Sequence, residues 1–151
     1  NTQRILSDTE FNKKKELCLT AAKKMKIKNL CTKSKINEND IKLLSVDELN
    51  VCKHVIEENL RVVEAAKYLR KNKAKEFGKL MTESHFSLSQ YYGVSTDNLN
   101  KLVDLSNSFG ALGSKLTGAG FGGAIVTLVK KELVEELKKY ILAGYPDAKF
   151  I

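Results

Sequence analysis

The chain has 151 residues, 42% of them hydrophobic and 29% charged, with one proline; this is the composition of a globular domain, and it excludes a collagenous, low-complexity or coiled-rod chain. Lysine and arginine outnumber aspartate and glutamate 26 to 18, a net charge of +8, but only Arg4, Arg61 and Arg70 are arginines, so the basic surface is poor in the guanidinium forks that read bases and phosphates in nucleic acids. The longest apolar run, Ala124–Val129, is six residues against the roughly 20 that cross a bilayer, which excludes a spanning helix.

From Thr9 to about Lys26, Phe11, Leu17, Cys18, Ala21, Ala22 and Met25 recur at helical spacing, and Asp8 or Thr9 offers a capping oxygen. Residues 27–50 are polar and broken by asparagine and aspartate, with Leu43, Leu44, Val46 and Leu49 as anchors. They predict a loop with short helical turns starting near Asn39-Asp40 and Ser45. A strong helix is expected over residues 51–72, burying Val55, Ile56, Val62, Val63, Ala66 and Leu69 and leaving Lys53, Glu57, Glu58, Glu64 and Lys71 wet. Another follows Asn72, with Phe77, Met81, Ser84, Leu88 and Tyr91 on one face and Gly93 as its stop. The short break between the two implies an antiparallel hairpin. A third helix runs from Thr96 to about Ser108, carrying Leu99, Leu102 and Val103, with Ser95, Thr96 and Asp97 as capping oxygens.

The texture changes at Gly110, because six of the nine glycines fall in Gly110–Gly123. A strand to Thr117, a loop of small residues and a second strand over Ala124–Val129 are expected, followed by an amphipathic helix over Lys131–Leu142 and a last strand beginning at Ala148–Ile151. Helices followed by strand, loop, strand, helix and strand give an α+β class in a single domain, residues 1–151. Cys18, Cys31 and Cys52 form no CxxC pair, and His54 and His85 stand alone. Reduced thiols in a cytoplasmic protein are therefore expected, with no metal site. The first residue is not methionine, which points to an internal or C-terminal piece of something longer, or to a processed chain.

The chemistry-bearing segment is Gly113-Ser114-Lys115-Leu116-Thr117-Gly118-Ala119-Gly120-Phe121-Gly122-Gly123. Successive N–H groups without side chains in the way attract phosphate oxygens. Gly118-x-Gly120-x-x-Gly123 matches the dinucleotide fingerprint, but that motif needs a helix directly after it and a β run follows here. The strand–loop–strand context mimics the glycine loop of protein kinases, whose VAIK, HRD and DFG elements are absent. No GK[ST] exists, so this is no Walker A loop. A plain hairpin with left-handed glycines is the remaining alternative from the residues alone.

The surrounding residues carry a resemblance. Gly78-Lys79-Leu80-Met81-Thr82-Glu83-Ser84-His85-Phe86-Ser87-Leu88, then Val94-Ser95, then Gly113–Gly123 resembles the C-terminal part of galactokinases and N-acetylgalactosamine kinases, sugar kinases of the GHMP family. His54-Val55-Ile56-Glu57-Glu58-Asn59-Leu60-Arg61 is similar to the family's H-V-x-x-E-x-x-R stretch, and Glu10–Cys18 to its Y-N-x-R-R-x-x-C stretch. The resemblance covers almost the whole chain. It implies a ferredoxin-like C-terminal domain, an antiparallel sheet with several long helices. The parent enzyme would use ATP and Mg2+ to phosphorylate the C1 hydroxyl of galactose or N-acetylgalactosamine. Gly118, Ala119, Gly120, Gly122 and Gly123 would shape the nucleotide and substrate pocket, and Phe11 would contact the sugar. Partners would be an N-terminal kinase domain and a small sugar, with no nucleic acid and no membrane.

The family's G-R-V-N-L-I-G-E-H and G-L-S-S-S motifs are nowhere in the chain. No catalytic residue is therefore expected here, and the isolated chain should fold without turning over. An apolar patch near Phe11, Phe121 and Leu116 would favour its self-association. The missing serine loop leaves open a non-catalytic sugar and ATP sensor, or another GHMP enzyme such as a mevalonate kinase. Three departures stand out: Ala124 where the family often has cysteine, Lys14 and Lys15 where it has arginines, and Phe11 where galactokinases place tyrosine. His85 reads as a hydrogen-bonded structural histidine and His54 as a more exposed one. Ser84 is expected to bond a carbonyl one turn back, Lys115 to be solvated, and Phe11 to be either core or sugar-pocket wall.

Overall fold

In the computed structural model, residues 8–151 are described, with side chains from residue 10. The capping oxygens expected of Asp8 and Thr9 lie outside the described side chains. Helix α1 (Asp8–Lys24) is followed by a single 3-10 turn at Leu30–Thr32 and a short helix, α2 (Glu38–Leu43). Asn37 caps α2: its side chain accepts from Asp40 N (3.0 Å), while the Asp40 carboxylate accepts from Asn37 N (2.9 Å).

Helix α3 spans Val46–Arg70 and starts five residues before the periodicity predicts. The reason is a second reciprocal cap: Glu48 N donates to Ser45 Oγ (3.3 Å) and Ser45 N donates to Glu48 Oε2 (2.7 Å). After a tight break in which Asn72 takes a positive φ of 52°, α4 (Ala74–Ser87) packs back against α3. A π-helical turn, Leu88–Tyr92, extends α4 until Gly93, at φ 67°, stops it. Thr96 then caps α5 (Asp97–Phe109).

Strands β1 (Gly113–Thr117) and β2 (Ala124–Leu128) pair antiparallel, from Gly113 opposite Leu128 to Thr117 opposite Ala124. Helix α6 (Val134–Gly144) follows. The order is α+β, as expected, and among the described residues the sheet has two strands. The strand expected at Ala148–Ile151 does not form. Ala148 N closes a turn on Tyr145 O (3.1 Å), and the Ala148 side chain packs against the α5–α6 cluster.

β1 lies directly on the backbone of α4. A Cβ on Gly78, in mid-helix, would sit 2.2 Å from Leu112 O, and one on Gly113 would sit 1.8 Å from Gly78 O. Two facing glycines therefore set the distance between helix and strand. Three apolar clusters fill the interior. One joins α1, the connector and α3 (Ala21, Ala22, Leu30, Leu44, Cys52, Ile56). A second lies under the hairpin (Val94, Leu99, Leu116), and a third joins α5 and α6 (Leu102, Leu137, Ile141).

The expected stripe on α3 holds only in part. Ile56 is buried, but Val62, Val63 and Leu69 are 61%, 53% and 56% exposed. The C-terminal half of α3 meets α4 across a cavity lined by Glu58, Arg61, Val62, Ala65, Phe77 and Met81 among others. Val62 reaches the rim of that cavity while staying mostly exposed, and Val63 and Leu69 stay outside it.

Candidate functional site

Gly118–Gly123 is the hairpin loop between β1 and β2. No helix follows it, as the rejection of the dinucleotide motif requires. The loop turns almost entirely through left-handed backbone: φ is 86° at Gly118, 82° at Gly120, 56° at Phe121, 119° at Gly122 and 97° at Gly123. Gly120 is buried, and a Cβ there would meet Val94 O at 2.3 Å. A side chain at that position is thus excluded by conformation and by space. Phe121 takes the same strained region without being glycine, a cost of order 1–3 kcal/mol. Two contacts hold it there. Phe121 N donates to Val94 O (2.7 Å), and its ring packs against the Val94–Leu99–Leu116 cluster.

Polar side chains of α4 grip the strand that feeds this loop. Ser84 does not bond a carbonyl in its own helix; it donates to Glu58 Oε1 of α3 (2.5 Å) and accepts from Lys115 Nζ of β1 (2.6 Å). Lys115 also reaches Glu58 Oε1 directly (3.4 Å), and Arg61 Nε donates to Glu58 Oε2 (2.8 Å). Lys115 is therefore no solvated strand lysine, because its side chain is only 27% exposed. Desolvation pushes the Glu58 carboxyl up, but the bonds from Ser84 and Arg61 and the charge of Lys115 outweigh it and hold it below the usual carboxylate range.

The neighbouring residue acts one position along. His85 is buried, and its Nδ1 accepts from Leu116 N (3.2 Å), so the proton sits on Nε2, which donates to Asn100 Oδ1 (3.1 Å). Ser95 Oγ donates to the same oxygen (2.7 Å). A charged imidazole would lose the bond to β1, and desolvation accordingly lowers the pKa of His85. Thr82 adds a longer contact, accepting from Ser114 N (3.4 Å). Beyond β1, a row of hydroxyls runs from Ser114 to Thr127 (2.8 Å) to Ser106 (3.3 Å), and Ser106 donates to Leu102 O (2.8 Å).

Other expectations change. His54 is buried rather than more exposed; it bonds Ser87 Oγ (3.0 Å) and lies against the Tyr92 ring, 4.5 Å between centroids. Desolvation lowers its pKa to about 4. Leu116, placed by sequence in an exposed patch, is 1% exposed and belongs to the core, because alternation on β1 turns it toward Val94 and Leu99. Phe121 is half-buried beside it. Phe11 stands on α1, 48% exposed, outside the three apolar clusters. One turn on, Lys14 approaches the Tyr92 ring (6.0 Å) and the position a Gly93 Cβ would take (3.3 Å), next to the residue that holds Phe121.

What the loop offers a ligand is backbone, in a tight turn of mostly glycine residues with few side chains in the way, although the Phe121 N–H is already bonded to Val94 O. Lys115 and Arg61, the cations at its base, are already engaged by Glu58. Among the described residues, no group of three or more histidine, cysteine, aspartate or glutamate side chains is placed to hold a metal ion, and no helix is long and apolar enough to cross a membrane. Glu58, Asn100 and Gly78 are the contributors that periodicity missed. Their signals were present: an acid and a base at i and i+3, adjacent polar residues within a buried stripe, and a glycine in mid-helix.

Comparisons with known proteins agree with this geometry. The family profile described as GHMP kinases C terminal matches residues 65–147. The galactokinase of Clostridium acetobutylicum is 38% identical over 154 residues, spanning 97% of this chain and 40% of the relative. That of Clostridium tetani is 39% identical over 152 residues, spanning 96% and 39%. Among solved structures, Lactococcus lactis galactokinase complexed with galactose superposes with a TM-score of 0.89 at 28% identity, covering 97% of this chain and 40% of that one. The chain thus spans about 40% of the length of these relatives.

Proposed function

The chain belongs to the GHMP kinases, matched through their C-terminal domain, and we propose from that premise that it is the C-terminal part of a sugar kinase acting on galactose or N-acetylgalactosamine. The observation that carries the reading is the hairpin loop Gly118–Gly123, left-handed at five of its six residues and pinned by Phe121 to Val94. Its partner is an N-terminal domain of the same cytoplasmic enzyme. Both domains would enclose the sugar, with no nucleic acid and no membrane involved. In the reaction the C1 oxygen forms a bond to the γ-phosphorus of ATP as the bond to the β–γ bridging oxygen breaks. ADP leaves, and the proton of the C1 hydroxyl passes to a base outside this chain. Mg2+, when bound with ATP, offsets charge on the phosphates.

This chain's own part is positional. The backbone of Gly118, Ala119, Gly120, Gly122 and Gly123 lies beside the phosphates and shapes the pocket, and β-carbon-free positions let it approach closely. Phe11 has no hydroxyl to donate, so it serves the sugar as an apolar wall that tolerates an N-acetyl group.

The test uses the enzyme that carries this chain together with its N-terminal domain. Sugar-dependent ADP release is measured on galactose and on N-acetylgalactosamine. Gly120→Val should lower kcat/KM by about a hundredfold or more. Phe11→Tyr should shift the ratio of kcat/KM values toward galactose. Absence of turnover on both sugars would remove the kinase reading, and an unchanged ratio would leave Phe11 as surface.

A further inference from the structure

Resting on the kinase reading above, we propose that Glu58 of α3 is a positioning residue that, through Ser84 and Lys115, fixes the angle at which β1 delivers the glycine loop to the reacting phosphate. The geometry is a relay across three elements. The Lys115 ammonium donates to the Ser84 hydroxyl, and that hydroxyl donates to the Glu58 carboxylate, at 2.6 and 2.5 Å. Lys115 stands three residues before Gly118 and points to the α3–α4 side, opposite Leu116, which faces the core.

The backbone contact of Gly78 with Gly113 fixes the far end of β1. His85 holds Leu116 N, two residues before the loop. Lys115, one residue earlier, is the β1 side chain that ties the strand to both α3 and α4. Glu58 is itself held by Arg61, which bonds its other oxygen. The carboxylate is thus fixed by one cation and fixes another. Glu58 reaches β1 through Lys115 and Ser84, so its effect on the loop passes through the strand. Small misplacements at a reacting centre cost rate rather than fold, and this separates positioning from mere stability.

The experiment is run on the complete kinase with ATP and galactose. Lys115→Met removes the tie, Lys115→Arg restores a donor of similar reach, and Glu58→Gln keeps an acceptor for Ser84 while removing the charge. Lys33→Met is the control, since it breaks the ion pair with Asp40, also partly buried but located in the α1–α2 connector. For Lys115→Met, kcat should fall ten- to hundredfold with sugar KM changed less than about threefold, and Lys115→Arg should recover most of it. Lys33→Met should lower Tm with kcat unchanged.

A second readout is independent of turnover: amide hydrogen exchange at residues 116–123 should quicken in Lys115→Met and Glu58→Gln but not in Lys33→Met. Unaltered kcat in Lys115→Met, or a loss not recovered by arginine, would overturn the proposal. Should the wild type turn over no sugar, the kinase reading fails while the exchange measurement still decides. Unchanged exchange at 116–123 would then overturn the positioning role, and faster exchange would sustain it.

Discussion

The two sides of α3 are held to their neighbours by different physics. Toward α1 and the connector the contact is chiefly apolar, Ala21, Ala22, Leu30, Cys52 and Ile56, with one ion pair from Lys24 to Glu48 (2.7 Å). Burial there leaves Cys52 unreactive, since desolvation lifts its thiol to about 11. Toward α4 and β1, α3 offers Glu58 to Ser84 and Lys115 and His54 to Ser87, and α4 in turn meets β1 through an imidazole and bare backbone. Apolar packing is non-directional and accepts small shifts. Hydrogen bonds and glycine contacts accept almost none. The directional side is the one that carries the loop, which is what a domain needs if its task is to place backbone atoms.

The largest test of that contrast is Gly78→Ala. By helix propensity alone the change should stabilise by about 1 kcal/mol. Because the new Cβ would lie 2.2 Å from Leu112 O, a loss of more than about 3 kcal/mol is expected instead in urea unfolding. A neutral result would mean that β1 can lift off α4 freely.

Acid comes next. His54 is kept neutral by burial, with a folded pKa of about 4 against 6.5 unfolded. The unfolded chain therefore takes the proton first. Stability is fully present above pH 6.5 and is lost as pH falls from 6.5 toward 4, by roughly 3 kcal/mol. His85, lowered for the same reason, adds in the same direction. Unfolding free energies at pH 7, 5.5 and 4 should trace this slope, and His54→Gln should flatten most of it.

On the apolar side, Ile56→Val should cost only about 1 kcal/mol and leave loop exchange rates alone. Smallest of all, Ser45→Ala should cost about 0.5–1 kcal/mol by opening the cap of α3. Either change slowing the kinase would contradict the separation of the two sides.

Much of this was legible from residues alone. The hairpin, its loop, the stop at Gly93 and the α3–α4 pairing follow from glycine placement and periodicity. What escaped was long-range. Periodicity shows that α3 has an apolar stripe but not which side α4 will choose, so it points Val62, Val63 and Leu69 toward a core they do not join. Lys115 reads as solvated because its partner Glu58 lies 57 positions away. The helical start near Ser45 is read correctly from the residues, and what the sequence does not show is that this capped turn runs on without a break into the helix expected from residue 51. Within the site, sequence marked where the loop is and left hidden what aims it.

The hydroxyl row behind β1 has a sense of direction. Ser106 spends its proton on Leu102 O, so it can only receive from Thr127. Thr127, having given its proton to Ser106, can only receive from Ser114. The Thr127 and Ser106 O–H vectors therefore point the same way, from the sheet toward α5, and a backbone carbonyl sets the polarity of both, while Ser114 shares its proton between Thr127 and Val126 O (3.3 Å). Removing the middle hydroxyl takes the donor from Ser106 and leaves Ser114 with Val126 O alone, so the two serines are energetically coupled without touching.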